Sequence, residues 1–225
     1  SGDVVTAYLE DETADAVTVT VSDGNTLTGV NLYQDRLITR HDNAGSLTNA
    51  NLSTAAVASE ADISNIYSVS SGALTVASGK ELSVWTGDTF APGNTVTASG
   101  GVDINGTFTM STNAVSVAGS WDATGGTFTT TGTVTFTAAG TVTSNANSFN
   151  NLTLNASGAT LTMSGHVDIN GALTITAGTM ALNASNLDLT GGSFSNNGTL
   201  STNGTQTFTN FTNDTDSGTI SYTSN

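Results

Sequence analysis

Two stretches of this chain, about sixty-five residues apart, carry nearly the same sequence. The segment 102–106 (VDING) returns as 167–171, so its numbering is offset by 65. The segment 122–129 (DATGGTFT) returns as 188–195 (DLTGGSFS), with an offset of 66. The same order and nearly the same spacing indicate an internal duplication. A duplication of this kind restricts the chain to architectures built from repeated units.

The composition favours strands joined by tight turns. Charged residues make up only 9% of the 225 residues, whereas hydrophobic residues make up 36% and alternate with Thr, Ser and Asn. Residues 17–21 (VTVTV) alternate in this way, and residues 22–25 (SDGN) form a strong turn signal. Strong helix formers are scarce. The best short helix candidate is residues 53–62, with Ser53 or Thr54 as the N-cap. We therefore predict an all-β fold.

Short strands that recur with a period of tens of residues are typical of solenoids and propellers. A propeller blade takes about 40–50 residues and has its own signature. The repeated unit fits better as about three coils of roughly 20 residues. We predict a right-handed parallel β-helix (β-solenoid) over residues 66–225, duplicated at about 102–166 and 167–225. Residues 1–65 do not repeat, and we expect them to form a β-rich cap or subunit-contact region.

The repeat resembles a known group of proteins. The segments that carry the resemblance are residues 119–121 (GSW), 125–128 (GGTF), 132–136 (GTVTF) and 149–154 (FNNLTL). They resemble the β-helical repeats of large prokaryotic cell-surface proteins, including autotransporter passenger domains and filamentous-haemagglutinin-like adhesins. The resemblance covers about residues 66–225 and implies a β-helical fold at a cell surface; its motifs encode a coil and no particular activity.

Charge excludes several classes of partner. The formal net charge is −15, and Arg36, Arg40 and Lys80 are the three cations. Nucleic acid and anionic membranes are therefore poor partners. No apolar run approaches the roughly 18 residues that a transmembrane helix needs. Cysteine is absent, so disulfides and thiolate metal sites are excluded. The acidic, Lys-poor, Thr- and Asn-rich composition favours an extracellular or cell-surface location.

Paired carboxylates are the first candidates for chemistry. Asp103 with Asp122, and Asp168 with Asp188, lie about one coil apart and could stack at about 5 Å. Asp103 and Asp168 lie about three coils apart, roughly 14 Å at sheet spacing, which exceeds the ~5–9.5 Å of glycosidase pairs. The simpler interpretation is that each Asp caps a turn. No catalytic residues are assigned, and we do not expect an enzyme.

A carbohydrate-binding or carbohydrate-active β-helix is the alternative function. Trp85 or Trp121 could stack on sugars, although Trp121 falls near Leu187 of the second repeat, which favours a core position. We predict no cofactor; calcium is a minor alternative, with Glu10, Asp11 and Glu12 or Asp214 and Asp216 as the densest carboxylates.

Two further patterns do not support a site. His41 and His166 are too few for a zinc site without carboxylates, and no nucleophile motif accompanies them. Thr-x-Thr arrays resemble the ladders of ice-binding β-helices, but irregular coil lengths would break a flat, lattice-matched face.

The end of the chain suggests self-assembly. Residues 219–223 (TISYT) have a strand pattern with no cap, so their coil would present an open edge. Either the sequence is part of a longer β-helix, or the N-terminal region of a second copy covers this edge, which would build head-to-tail filaments. The residues predicted at such a subunit contact are Asp35, Arg36, Arg40, Asp42, Ile220 and Tyr222. The sequence thus predicts a structural filament or fibre subunit or adhesin stalk, with copies of itself as partner and a glycan or host surface as a further one.

Overall fold

The computed structural model describes residues 2–10, 13–42, 45–56 and 60–223. Strands account for 47% of the chain and helices for 5%, which confirms the all-β prediction. In chain order the elements are β1 (Val4–Tyr8), β2 (Val17–Val21), β3 (Arg36–Thr39), β4 (Ser46–Leu47), α1 (Asn49–Ala55), α2 (Ala61–Ser64), β5 (Tyr67–Ser70), β6 (Ala73–Val76), β7 (Glu81–Val84), β8 (Thr89–Phe90), β9 (Val96–Ala98), β10 (Val102–Ile104), β11 (Thr107–Ser111), β12 (Val115–Val117), β13 (Trp121–Asp122), β14 (Thr127–Thr130), β15 (Thr133–Phe136), β16 (Gly140–Thr143), β17 (Asn151–Met163), β18 (Val167–Asp168), β19 (Ala172–Ala181), β20 (Leu187–Asp188), β21 (Ser193–Asn196), β22 (Thr199–Thr202), β23 (Phe208–Thr209) and β24 (Thr219–Tyr222).

The chain forms a β-solenoid of about ten turns built from stacked parallel strands. Ladder A contains β2, β3, β7, β10, β13, β16, the second halves of β17 and β19, β22 and β24. Ladder B contains β6, β9, β12, β15, the first halves of β17 and β19, and β21. Ladder C contains β4, β8, β11 and β14, followed by β18, β20 and β23. A regular turn passes through A, then C, then B.

From β7 onward each coil takes close to twenty residues, whereas the coil from Leu37 to Leu82 is longer because it includes α1 and α2. On ladder A, Val102 pairs with Trp121, Trp121 with Val142, and Val142 with Met163. From each partner to the next the numbering rises by 19, 21 and 21. The predicted coil length is therefore confirmed, and the variation in length is absorbed by the turns between ladders.

The two copies of the duplication lie on different sides of the solenoid. Residues 102–104 form β10 on ladder A, whereas their copy, which begins at Val167, forms β18 on ladder C. The offset is three full turns plus the step from ladder A to ladder C, so the two copies of VDING do not stack on one ladder. One motif fits either corner because both need inward apolar residues followed by an Asn-Gly turn.

The inward side chains form one continuous core. Val, Ile, Leu, Phe and Met fill the inward positions of all three ladders, as predicted from the alternation. Trp121 lies in the middle, fully buried, with its ring centroid 6.0 Å from that of Phe108 and 5.0 Å from that of Phe128. Phe90 stacks on Phe108 at 5.4 Å, and Phe149 lies 4.8 Å from Phe128. Aromatic contacts therefore link successive coils through the centre of the solenoid.

Glycines at the corners allow the turns to stack closely. A Cβ placed on Gly126 would lie 2.2 Å from the carbonyl oxygen of Gly106, and one on Gly192 would lie 2.0 Å from that of Gly171. These two glycines occupy the same position in the two copies of the repeat. The repeated Gly-Gly pair is thus explained by the approach of backbone to backbone.

The N-terminal region contributes β2 and β3 to ladder A and adds one antiparallel strand. The antiparallel strand β1 pairs with β2. Residues 22–34 fold over the outer side of β2 and β3, where the Thr18 hydroxyl donates to the carbonyl of Asn31 at 2.5 Å. The predicted helix begins earlier than expected: Thr48 is the N-cap of α1, which ends at Ala55, and the separate α2 begins after Glu60. The capping-box contacts of Thr48 with Asn51 explain the earlier start.

Candidate functional site

The last strand of ladder A is the most exposed apolar feature of the solenoid. Ile220 stands in register with Leu200, which is fully buried, yet Ile220 is 42% exposed. Tyr222 stands in register with Thr202 and is 68% exposed. Within the described residues, β24 has β22 as its single strand neighbour. These side chains are exposed because no described strand stacks beyond them.

The opposite end of ladder A also presents a strand edge. Across the described part of the chain, β1 pairs with β2 alone. Its inner face is covered, since the Thr6 hydroxyl donates to the carbonyl of Ala55 at 3.4 Å and Val4 and Tyr8 pack against the core. The two ends of the ladder therefore both offer backbone groups on one side, although β1 runs opposite to all the other strands of the ladder.

Four charged residues that the sequence predicts at a subunit contact have partners within this chain. Arg36 pairs with Glu81 at 3.0 Å and with Asp103 at 2.9 Å. Asp35 pairs with Lys80 at 2.5 Å. The remaining pair is Arg40 with Asp42, at 2.7 Å and with both side chains largely buried. Their role between subunits stays a prediction, and Ile220 and Tyr222 are the two predicted contact residues with large exposed surfaces.

Charges on ladder A form one cluster across four rungs, β3, β7, β10 and β13. Arg36 stands opposite Glu81, and Asp103 stands opposite Ser83 and Asp122. Burial raises the pKa of Glu81, Arg36 lowers it, and Asp103 and Asp122 raise it again. The Arg36 guanidinium therefore lowers the pKa of Glu81 by less than burial and the neighbouring carboxylates raise it.

Lys80 joins two carboxylates of the N-terminal region. Its ammonium lies 2.8 Å from Asp15 and 2.5 Å from Asp35, and Asn65 donates to Asp15 at 3.2 Å. The hydrogen bond from Lys80 is the main cause of the lowered pKa of Asp15, and the hydrogen bonds to Asp15 and Asp35 raise the pKa of Lys80. The cluster ties residues 13–35 to the start of β7.

Replacing Lys80 with Met is expected to lower the free energy of unfolding at pH 7 by up to about 1 kcal/mol, because the pair is partly solvated. Asp15 has a lowered pKa in the folded state, so its contribution is present above the ordinary value of 3.8 and is lost as the pH falls through the folded pKa. Urea titrations of wild type and Lys80→Met should therefore differ at pH 7 and converge in stronger acid. Lys80→Arg is the charge-retaining control. A difference that persists unchanged in acid would mean that Lys80 acts through packing.

The paired aspartates stand in register as predicted, on two different ladders. Asp103 pairs with Asp122 on ladder A, and Asp168 pairs with Asp188 on ladder C. Asp122 caps a turn, as expected, since it accepts hydrogen bonds from the backbone N–H of Thr124 at 2.9 Å and from its hydroxyl. Asp188 accepts a hydrogen bond from the Thr190 hydroxyl at 2.7 Å.

The other two aspartates bind neighbouring coils. Asp103 accepts from Arg36 and from the Ser83 hydroxyl at 3.3 Å. Asp168 accepts from the hydroxyl of Ser148, one coil earlier. The predicted three-coil separation of Asp103 and Asp168 does not apply, since they lie on different ladders.

Asp214 and Asp216, two of the carboxylates considered for calcium, accept hydrogen bonds from backbone and hydroxyl groups. Asp214 accepts from the backbone N–H of Asn196, and Asp216 accepts from the Ser195 hydroxyl at 2.7 Å. Asp11 and Glu12 lie outside the described residues. Across the residues that the structure describes, no group of three or more His, Asp or Glu side chains is placed to hold a metal ion.

The two tryptophans have different surroundings. Trp121 is fully buried, as its repeat position predicted, so it cannot stack on a sugar. Trp85 is half-buried and lies beside Tyr33, with ring centroids 6.0 Å apart and Tyr33 46% exposed. Tyr33 ends the segment that folds over β2 and β3, so this aromatic contact holds that segment against the end of β7.

Comparisons with protein-family profiles, with curated proteins and with solved structures find no match to this chain. The β-solenoid fold that the repeats imply is present, while no match supports the autotransporter or haemagglutinin-like groups in particular. None of the described helices is long and apolar enough to span a membrane.

Proposed function

We propose that this protein is a structural β-solenoid of the cell surface or extracellular space, a filament or fibre subunit or adhesin stalk that assembles head-to-tail. The observation that supports it is the last rung of ladder A. Ile220 and Tyr222 stand in register with buried residues of β22, yet both side chains are exposed. Their strand, β24, has one described neighbour. An unpaired strand with exposed apolar side chains favours the addition of another strand.

The proposed partner strand is β1 of a second copy. β24 and β1 lie at opposite ends of ladder A, each with one described neighbour. They are similar in length, four and five residues, and neither contains a charged side chain. Because β1 runs opposite to the rest of the ladder, the junction would be an antiparallel pair. We place the centre of the contact at this strand pair and not at the four charged residues, because those residues form ion pairs within the subunit.

Charge opposes this contact at low ionic strength. Asp3 and Glu60 lie near the N-terminal end, Asp214 and Asp216 lie near the other end, and the net charge is −15. The three cations are bound to carboxylates of their own chain. Like charges are screened over about 10 Å at 0.1 M salt and about 3 Å at 1 M. Salt should therefore promote assembly.

Analytical ultracentrifugation of the purified chain over a range of protein and salt concentrations tests the proposal. We expect a monomer in dilute, low-salt solution and rods that lengthen as protein and salt increase, which negative-stain electron microscopy would show as single filaments. A monomer under all these conditions would overturn the proposal. Assembly that weakens with salt would instead assign the junction to ionic contacts, and it would contradict the β24–β1 pairing.

A further inference from the structure

Ladder B carries an unbroken rank of hydroxyl groups on its outer side. One outward residue on each of seven successive strands is Thr or Ser, and each stands directly opposite the next. The rank consists of Thr75, Thr97, Ser116, Thr135, Thr153, Thr174 and Ser195. Parallel strands lie about 4.8 Å apart, so this spacing repeats along the whole rank.

The register of the rank is independent of coil length. From each member to the next the numbering rises by 22, 19, 19, 18, 21 and 21. Irregular coil lengths were expected to break such a face. On ladder B the strands nevertheless stay in register, because the turns absorb the extra residues. Irregular coil lengths therefore do not interrupt the rank.

The surroundings of the rank are uncharged. The residues two positions before each member are small or uncharged, and they are Ala73, Thr95, Ala114, Thr133, Asn151, Ala172 and Ser193. No strand of ladder B contains a charged residue, although the chain carries eighteen acids. A carboxylate reaches the rank at its last member, where the Ser195 hydroxyl donates to Asp216. The neutral face therefore extends over the six members from Thr75 to Thr174.

We propose that the outer side of ladder B binds the surface of ice. An ice surface is a neutral lattice of water molecules that repeats its donors and acceptors at fixed intervals. A threonine rank offers hydroxyls that donate and accept at fixed intervals, beside methyl groups that do not compete for water. A strand ladder holds this spacing rigidly. Neutrality suits the lattice, since a charged side chain would order its own hydration shell in another geometry.

Ice is favoured over a crystalline neutral polysaccharide as the ligand of ladder B. Binding of sugar rings uses exposed aromatic faces, and the strands of ladder B present none outward, since Phe136 is buried and Phe194 packs inward against Phe211. The rank lies along the side of the solenoid and away from β24, so the proposal does not depend on head-to-tail assembly.

The strand β17 provides a matched pair of variants. Thr153 lies on ladder B within the rank, and Thr162 lies on ladder A of the same strand. Both are partly exposed. Thr153→Lys places a long charged side chain on the neutral face, whereas Thr162→Lys makes the same change on the other ladder. Circular dichroism melts would show whether both variants keep the fold.

The test measures thermal hysteresis and the incorporation of labelled protein into a slowly grown ice hemisphere. We expect the wild type and Thr162→Lys to enter the ice and to shape its crystals, and Thr153→Lys to lose both properties while remaining folded. Exclusion of the wild type from ice would overturn the proposal, as would an equal loss in both variants. Retention on cellulose or chitin without entry into ice would assign the face to a glycan and would also overturn it.

Discussion

Replacing Trp121 with alanine is expected to lower the free energy of unfolding by about 3–5 kcal/mol, the usual range for removing a large buried aromatic side chain. Trp121 is fully buried on the fifth rung of ladder A. Its ring lies within 6.4 Å, centroid to centroid, of four phenylalanines, which are Phe108, Phe128, Phe136 and Phe149. The indole links side chains from neighbouring coils, so no single neighbour can move in to fill the space it leaves.

The conservative variant Trp121→Phe separates packing from polarity. The indole N–H of Trp121 is buried and has no hydrogen-bond partner among the described residues. A buried unpaired donor costs about 1–3 kcal/mol, and phenylalanine removes it. We expect this gain to offset much of the lost volume, so that Trp121→Phe differs from wild type by less than about 1.5 kcal/mol.

The shape of the unfolding transition provides a second readout. Each coil of a solenoid contacts only its neighbours, so stability is close to a sum of coil and interface terms. A cavity near the middle of the solenoid should uncouple the two halves, and the urea transition of Trp121→Ala should broaden. A loss below about 1 kcal/mol with an unchanged transition would show that Trp121 is not the central packing contact.

The coil and the core could be predicted from the sequence because they depend on local patterns. Alternation placed Val102, Ile104 and Phe108 inside, and all three are fully buried. The spacing of the motifs indicated a coil of about twenty residues, which the register confirms. Both properties follow from side-chain alternation and turn composition, which a short window of sequence contains.

The placement of the repeats could not be predicted in this way. The VDING motif lies on ladder A in its first copy and on ladder C in its second. Both corners need the same residues, so the motif does not encode which side it occupies. That choice depends on the summed lengths of all the turns between the copies. For the same reason, the unbroken rank on ladder B could not be foreseen from the irregular coil lengths.

The candidate site at the ends was predicted in part. The strand pattern of residues 219–223 led to β24, with Ile220 and Tyr222 exposed. Nothing in the sequence pattern indicated that β1 would be the other free edge, because antiparallel pairing with β2 is set by the loop between them. The charge pattern also could not show that Arg36 forms an ion pair with Asp103, since Asp103 lies 67 positions away along the chain.

Tyr222→Asp is expected to abolish head-to-tail assembly while leaving the monomer folded. Tyr222 is 68% exposed in the single chain, so an exposed substitution there should change the free energy of unfolding by about 0.5 kcal/mol or less. In the proposed junction the same position lies between β22 and the strand of the next copy. A carboxylate buried there without a partner costs about 3–5 kcal/mol. Since each 1.4 kcal/mol is about tenfold in affinity, the concentration needed for assembly should rise by at least about a hundredfold.

Tyr33→Asp is the matched control, because Tyr33 is also an exposed tyrosine, at 46%, and belongs to neither β1 nor β24. The two variants have the same composition and the same net charge. A general effect of one more negative charge would therefore weaken assembly equally in both, whereas a junction at β24 requires a loss in Tyr222→Asp alone. Sedimentation at matched protein and salt concentrations makes the comparison. Equal behaviour of the two variants would remove Tyr222 from the junction, and rods formed by Tyr222→Asp at wild-type concentrations would refute pairing through this edge.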